Sequence, residues 1–153
     1  MIKLSTRCIE ICYNIAKEYH AEQLDKGGNP YIEHPVAVAE KLDTELEKCV
    51  ALLHDVIEDT DLTSEDLLRM GVPSIVVEKV LIVTHNPNEP YNDYIKRVAK
   101  DPVAINVKLA DIEHNMDLSR IPNVSQRDLD RVENKYRKNY EYLKEIKNKQ
   151  MER

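Results

Sequence analysis

The stretch Ala51-Leu52-Leu53-His54-Asp55-Val56-Ile57-Glu58-Asp59-Thr60 passes abruptly from an apolar run to an imidazole beside a carboxylate, then to a second acidic pair. On a helix, His54 with Glu58 and Asp55 with Asp59 stand at i and i+4, each pair on one face and about 6 Å apart along the axis. Three acidic groups beside Leu52, Leu53 and Ile57 repel one another and resist leaving water unless a cation or a shared proton balances them. A divalent metal is the simplest balance. For this segment alone, a solvated acidic helix end with His54 at the surface is the plain alternative.

Further donors lie elsewhere in the chain. His34 precedes Pro35 at the start of an apolar segment, a place where a single histidine is usually structural or surface-exposed. Asp111 follows the apolar positions Val107, Leu109 and Ala110. Taken jointly, His34, His54, Asp55 and Asp111 offer two imidazoles and two carboxylates, a set that suits Mn, Fe, Zn or Ni and leaves positions for water and substrate oxygens. A metal held this way lowers the pKa of bound water and clamps a phosphoryl oxygen.

Helices must position these groups. Leu4, Cys8, Ile11, Cys12, Ile15 and Tyr19 form a helical stripe within residues 4–24, which ends at Asp25-Lys26-Gly27-Gly28-Asn29-Pro30. Two of the chain's three glycines sit in that loop, which implies positive φ, a close approach, or an ordinary turn. Pro35 suits a first helical turn that continues through Val36, Val38, Ala39 and Leu42. A helix over 45–59 then carries the central stretch at its C-terminal end. Thr63 with Asp66 reads as a cap for a short helix closed by Gly71, and Pro73 opens one apolar nearly all round from Ile75 to Val83, hence buried on several sides. His85 to Pro90 is a break, Tyr91, Tyr94, Ile95 and Val98 begin the next helix, and Asp101-Pro102 separates it from another over 102–118. That segment begins with strand-like alternation, but Val107, Ala110 and His114 recur at helical spacing and no partner strand is evident. Ser125 caps a long last helix through Leu129, Val132, Tyr136, Tyr140, Leu143 and Ile146, whose charged face reads as solvated. The fold class is all-α, a compact helical bundle.

The chain's 153 residues fit one domain, 1–153. A net charge of -6 and a pI near 5.4 give no broad attraction to phosphate backbones, so the expected partner is a small molecule rather than nucleic acid. No signal peptide or membrane-spanning run is legible, which implies a cytoplasmic protein. Nothing in the sequence sets an oligomeric state. Cys8, Cys12 and Cys49 are too few for a disulfide framework and read as small core residues; a zinc site using Cys8 and Cys12 needs two further soft ligands that the neighbouring sequence does not supply. With neither Phe nor Trp present, the core falls to Leu, Ile, Val, Ala and Met, with tyrosines at its margins.

His34-Pro35 after Gly-Asn-Pro-Tyr-Ile-Glu, then His54-Asp55-Val56-Ile57-Glu58-Asp59-Thr60, then Val107-Lys108-Leu109-Ala110-Asp111 with His114-Asn115, resembles the HD superfamily of metal-dependent phosphohydrolases. More narrowly, the pattern is similar to the hydrolase domain of RelA/SpoT-type alarmone enzymes and their small stand-alone relatives, across most of residues 20–120. The resemblance implies an all-helical bundle, one metal, usually manganese, on His34, His54, Asp55 and Asp111, and a catalytic acidic pair in Glu58 and Asp59. It also implies that Lys26, Tyr31 and Asn115 line a nucleotide site, and that the reaction is 3′-pyrophosphate removal from a guanosine tetraphosphate-like alarmone. Two other readings fit the same residues: a phosphatase on another nucleotide or a phosphorylated dinucleotide cofactor, and a nucleotide-sensing module without turnover, which would have no need of the Glu58-Asp59 pair. The chain departs from the family at Asp25, where an arginine is usual before the loop lysine, at Ile112, where a basic residue is usual, and over Met116-Asp117-Leu118-Ser119.

Overall fold

The computed structural model describes residues 6–151. Helices α1 (Thr6–Tyr19), α2 (Glu33–Glu40), α3 (Glu45–Leu53), α4 (Val56–Asp59), α5 (Ser64–Arg69), α6 (Ser74–Val83), α7 (Tyr91–Val98), α8 (Pro102–Met116), α9 (Gln126–Arg131) and α10 (Arg137–Met151) follow in order. Among the described residues the only β pairing is one isolated bridge between Leu24 and Pro30. The all-α expectation therefore holds.

Local chemistry explains most helix starts. Thr44 accepts from the Glu47 N–H while the Glu47 side chain accepts from the Thr44 N–H, and Thr63 with Asp66 and Ser125 with Asp128 repeat the arrangement. Each such cap stabilises its helix by about 1 kcal/mol. Asp101 caps α8 by accepting from the Ala104 N–H, with Pro102 in the first turn. Gly71, at φ 98°, ends the segment after α5, as the C′ position favours.

α3 is the centre of the packing. It touches α1, α2, α6 and α8, while α8 reaches α2 and α10. Val50, Leu53, Val38, Val76, Val80, Ile105 and Ile112 are buried between them. Truncating a fully buried leucine such as Leu53 to Ala costs about 2–5 kcal/mol. Tyr94 departs from the expected margin position: it lies in the core at 1 % exposure, and its hydroxyl donates to the Val83 carbonyl at 2.6 Å, which removes the penalty of burying it.

Three expected boundaries differ. The first helix ends at Tyr19 rather than near residue 24, because His20 is buried with its Nδ1 at 3.0 Å from Gln23 Oε1 and the chain turns so that the Tyr31 N–H meets the Gln23 carbonyl. Leu4 of its stripe lies outside the described residues. The helix expected over 45–59 is broken after Leu53. His54 directs both its backbone N–H and its ring Nδ1 to the Ala51 carbonyl, at 3.3 and 2.5 Å, so the acceptor that an uninterrupted helix would give to Asp55 is already taken. The last helix contains a π turn over Val132–Tyr136, whose extra residue shifts the register: Leu129, expected in the core, is 45 % exposed, whereas Val132 and Leu143 are buried.

Candidate active site

The kink after Leu53 sets the site. His54 caps the end of α3 and Asp55 precedes α4 at φ -107°, ψ -2°, while His34 comes from the first turn of α2 and Asp111 from the middle of α8. The ring nitrogens of His34 and His54 and a carboxylate oxygen of Asp111 all lie within 4.8 Å of one another, and all three residues are buried. Asp111 Oδ1 is 2.9 Å from His34 Nε2 and 3.2 Å from His54 Nε2. Asp55 borders the trio through Oδ2, which is 3.1 Å from His54 Nε2 and 3.7 Å from His34 Nε2 and also accepts from the Tyr31 hydroxyl.

The donor set fits a cation. The Ala51 carbonyl can only accept, so His54 Nδ1 carries a proton, and in the neutral ring Nε2 presents a lone pair toward two carboxylate oxygens. That arrangement is repulsive unless a proton or a metal stands between. Burial pushes the His54 pKa down, but Asp55 and Asp111 outweigh it and raise the value well above the usual imidazole range. Burial likewise raises Asp55 and Asp111, yet His54 takes Asp55 down to about 2 and Lys108 with His54 holds Asp111 well below the carboxylate range. His34 Nδ1 is 2.7 Å from His114 Nδ1. His114 is lowered to about 4, by burial first and then by His34; as a neutral acceptor at Nδ1 it lets His34 donate there and turn Nε2 to the cluster.

Glu58 and Asp59 project from α4 into the same cavity of about 250 Å³, which His34, His54, Asp55 and Asp111 also line. Burial raises both carboxyls, and the charge of Asp55 adds to it, although the His85 backbone N–H donates to Glu58. Tyr31 lines this cavity as well, and Asn115 Nδ2 donates to Asp111 Oδ1 at 3.1 Å. Lys26 stands apart. It is exposed, 3.9 Å from Asp128, and lines an adjoining cavity of about 220 Å³ that shares Tyr31, His34 and Asn115 with the first.

Other residues of the site were not among the sequence candidates. Lys108, one turn before Asp111 on α8, donates to Asp111 Oδ2 at 2.9 Å; its i, i+3 spacing was the available signal. Lys135 and Tyr136 reach the first cavity from the π turn, and Lys135 Nζ lies 4.5 Å from the centre of the Tyr91 ring. The charged face of the last helix is therefore not wholly solvated: burial, with Lys108 and Arg131, lowers Lys135. Arg120 meets Asp25 at 3.2 Å and donates to the His114 carbonyl. Asp25 turns inward, accepting from the Gly27 and Asn29 N–H groups at 2.9 Å each. Both glycines of that loop have reasons: Gly28 has φ 82°, and a Cβ on Gly27 would lie 2.3 Å from the Arg120 carbonyl oxygen.

No family model matches the chain. It is 38 % identical over 133 residues to a GTP pyrophosphokinase of Streptomyces coelicolor, covering 78 % of this chain and 16 % of that protein. It is 42 % identical over 115 residues to the guanosine-3′,5′-bis(diphosphate) 3′-pyrophosphohydrolase of Aquifex aeolicus, covering 67 % of this chain and 16 % of that one. The chain thus spans about one sixth of the length of these relatives. A solved structure described as a metazoan orthologue of SpoT that hydrolyses ppGpp superposes with a TM-score of 0.70 at 25 % identity, over 97 % of this chain and 98 % of that one. In sequence and in fold, the chain is thus similar to hydrolases of the SpoT type.

Proposed function

We propose that this chain is a manganese-dependent phosphohydrolase that removes the 3′-pyrophosphate of a guanosine tetraphosphate-like alarmone. The observation that carries the reading is the convergence of His34, His54, Asp111 and Asp55 on one buried point, with Glu58 and Asp59 on the wall of the same cavity. The four converging residues would hold the metal, and Mn²⁺ bound there supplies a divalent Lewis acid at the base of the cavity.

The remaining steps fall to the chain's own groups. Glu58 and Asp59, whose carboxyls desolvation raises, are suited to orient the attacking water and accept its proton. Lys108 and Lys135 supply positive charge for the phosphate oxygens. Tyr31 and Asn115 fix the two carboxylates Asp55 and Asp111 while bordering the space that the nucleotide would occupy. In the adjoining cavity Lys26, Arg120 and Arg131 offer donors for base and ribose, and the Arg120 Nε is buried without a partner. Arg120 thus brings a guanidinium to the region where Asp25 replaces the family's arginine. The relatives named for this chemistry support the substrate class. A free nucleotide as substrate assigns the chain to the cytoplasm.

A panel of nucleotides assayed with Mn²⁺, reading pyrophosphate and orthophosphate separately, tests the proposal. Pyrophosphate release from the guanosine alarmone is expected. Orthophosphate release from a phosphorylated dinucleotide or simple nucleotide instead would reassign the substrate, and tight binding without turnover would make the chain a sensor.

A further inference from the structure

The segment 84–90 joins α6 to α7, and its His85 borders the cavity that Glu58 lines. The carbonyls at the end of α6 all meet side chains. Thr84 Oγ1 donates to the Val80 carbonyl at 2.7 Å and the Tyr94 hydroxyl to that of Val83. Arg97 Nη1 donates to those of Ile82 and Leu81 at 2.8 and 3.2 Å, and its Nη2 to that of Thr84 at 2.9 Å. A helix end asks for no more than that. The same guanidinium nevertheless also grips the Glu89 carboxylate, with Nε at 3.1 Å and Nη2 at 2.9 Å, in the two-pronged geometry that arginine gives and lysine does not.

Arg97 thereby fastens the segment on both sides of His85, at the carbonyl before it and at the side chain of Glu89 after it. The His85 ring is fixed in turn: Nε2 donates to the Glu89 carbonyl at 2.7 Å, since a carbonyl can only accept, and the ring packs on Tyr91 and Tyr94 with centres 5.5 and 5.0 Å away. His85 then turns its backbone N–H to Glu58 Oε1. Among the described residues this is the one hydrogen bond to that carboxylate, and Glu58 stands on α4, a helix of four residues without a side-chain cap. Burial raises the Glu58 carboxyl, and the His85 N–H opposes the rise.

We propose that Arg97, outside the cavity itself, is the positioning residue for Glu58: its grip on the end of α6 and on Glu89 holds segment 84–90 so that the His85 N–H fixes the Glu58 carboxylate at the cavity wall. The inference rests on the catalytic role proposed for Glu58. Arg97 meets no substrate and transfers no proton. A cap that served α6 alone would change how much of the protein is folded and leave the kcat of the folded fraction untouched, whereas a misplaced base lowers kcat itself.

Arg97→Ala, assayed with Mn²⁺ on the guanosine alarmone, is expected to lower kcat by about tenfold to a hundredfold with KM changed less than about threefold. In a Glu58→Gln background the same substitution is expected to cost less than about threefold more, because two changes that act through one carboxylate do not add. The His85 amide proton, followed by NMR in the Zn²⁺-loaded full chain, is expected to move upfield in Arg97→Ala and in Glu58→Gln, as a bond to an ionised acceptor is lost or weakened, with no further movement in the double variant. Equal losses of kcat in both backgrounds, or an unmoved amide in Arg97→Ala, would overturn the proposal. A parent chain that hydrolyses no nucleotide would sink the phosphohydrolase reading instead, and the amide then decides whether Arg97 places Glu58. Should Arg97→Ala not fold, Arg97→Lys, which keeps the charge without the two-pronged grip, is expected to show the same pattern, and its absence would overturn the inference as well.

Discussion

His54 spends its Nδ1 proton on the Ala51 carbonyl, and that one hydrogen bond both kinks the helix and leaves Nε2 to face Asp55 and Asp111. Removing a carboxylate from this set removes charge and a donor while most core contacts survive. Asp55→Ala is expected to lose the manganese and all turnover while keeping its helicity; equal metal content in parent and variant by elemental analysis would exclude Asp55 as a ligand. Glu58→Gln with Asp59→Asn should retain the metal and lower kcat by about a hundredfold or more. The same pair gives a stability test with a defined sign. Burial raises both carboxyl pKa values in the folded state, so between the unfolded and folded values the folded chain binds more protons, and stability falls as pH rises through that window. In metal-free protein the double variant should therefore melt higher than the parent at pH 7, with the gain vanishing once the pH falls below the ordinary carboxylate range. A gain that persists unchanged at low pH would point to packing rather than charge.

At the scale of elements, the loop between α1 and α2 is held by Asp25, which ties its own backbone together and reaches across to Arg120 after α8. Losing that carboxylate removes two hydrogen bonds to backbone N–H groups and one to a guanidinium, and frees the wall of the cavity that Lys26 and Arg120 line. Asp25→Ala should raise KM for the alarmone about tenfold or more, with little change in kcat, since hydrogen bonds to charged groups contribute about 1.5–3 kcal/mol. An unchanged KM would separate this loop from substrate binding. Much of this level was legible: the 3.6-residue apolar period located the helices, and Thr63-Asp66, Asp101-Pro102 and Ser125 marked their starts. What escaped depended on competition between side chain and backbone, as at His54, or on contacts between residues far apart in sequence. Lys135 and Arg120 carry no local sign that they border His34 or Asp25, and Cys49 lies 41 positions from the Cys8 it touches. That His34, His54, Asp55 and Asp111 come together was legible because imidazoles and carboxylates on apolar helices need partners.

The whole molecule is tied together at the point where these groups meet, since α2, the α3–α4 kink and α8 each contribute a donor and also pack on one another. Four carboxyls, Asp55, Glu58, Asp59 and Asp111, line that cavity against the lysines Lys108 and Lys135, in a chain of net charge -6. A divalent cation there relieves repulsion that the folded state bears and the unfolded chain avoids, so binding must favour folding. A ligand specific for the folded state at a hundredfold excess over its Kd stabilises by about 2.7 kcal/mol, a shift of roughly 8 °C in Tm for a chain of this size. Manganese added back to chelator-treated protein should raise Tm by about that amount in the parent and leave Asp55→Ala unmoved. Magnesium, which binds hard oxygen donors and prefers to keep its waters, should give a smaller rise, because two of the four donors are imidazoles. Equal responses to the two ions, or a manganese response preserved in Asp55→Ala, would place the stabilising metal elsewhere than this junction of helices.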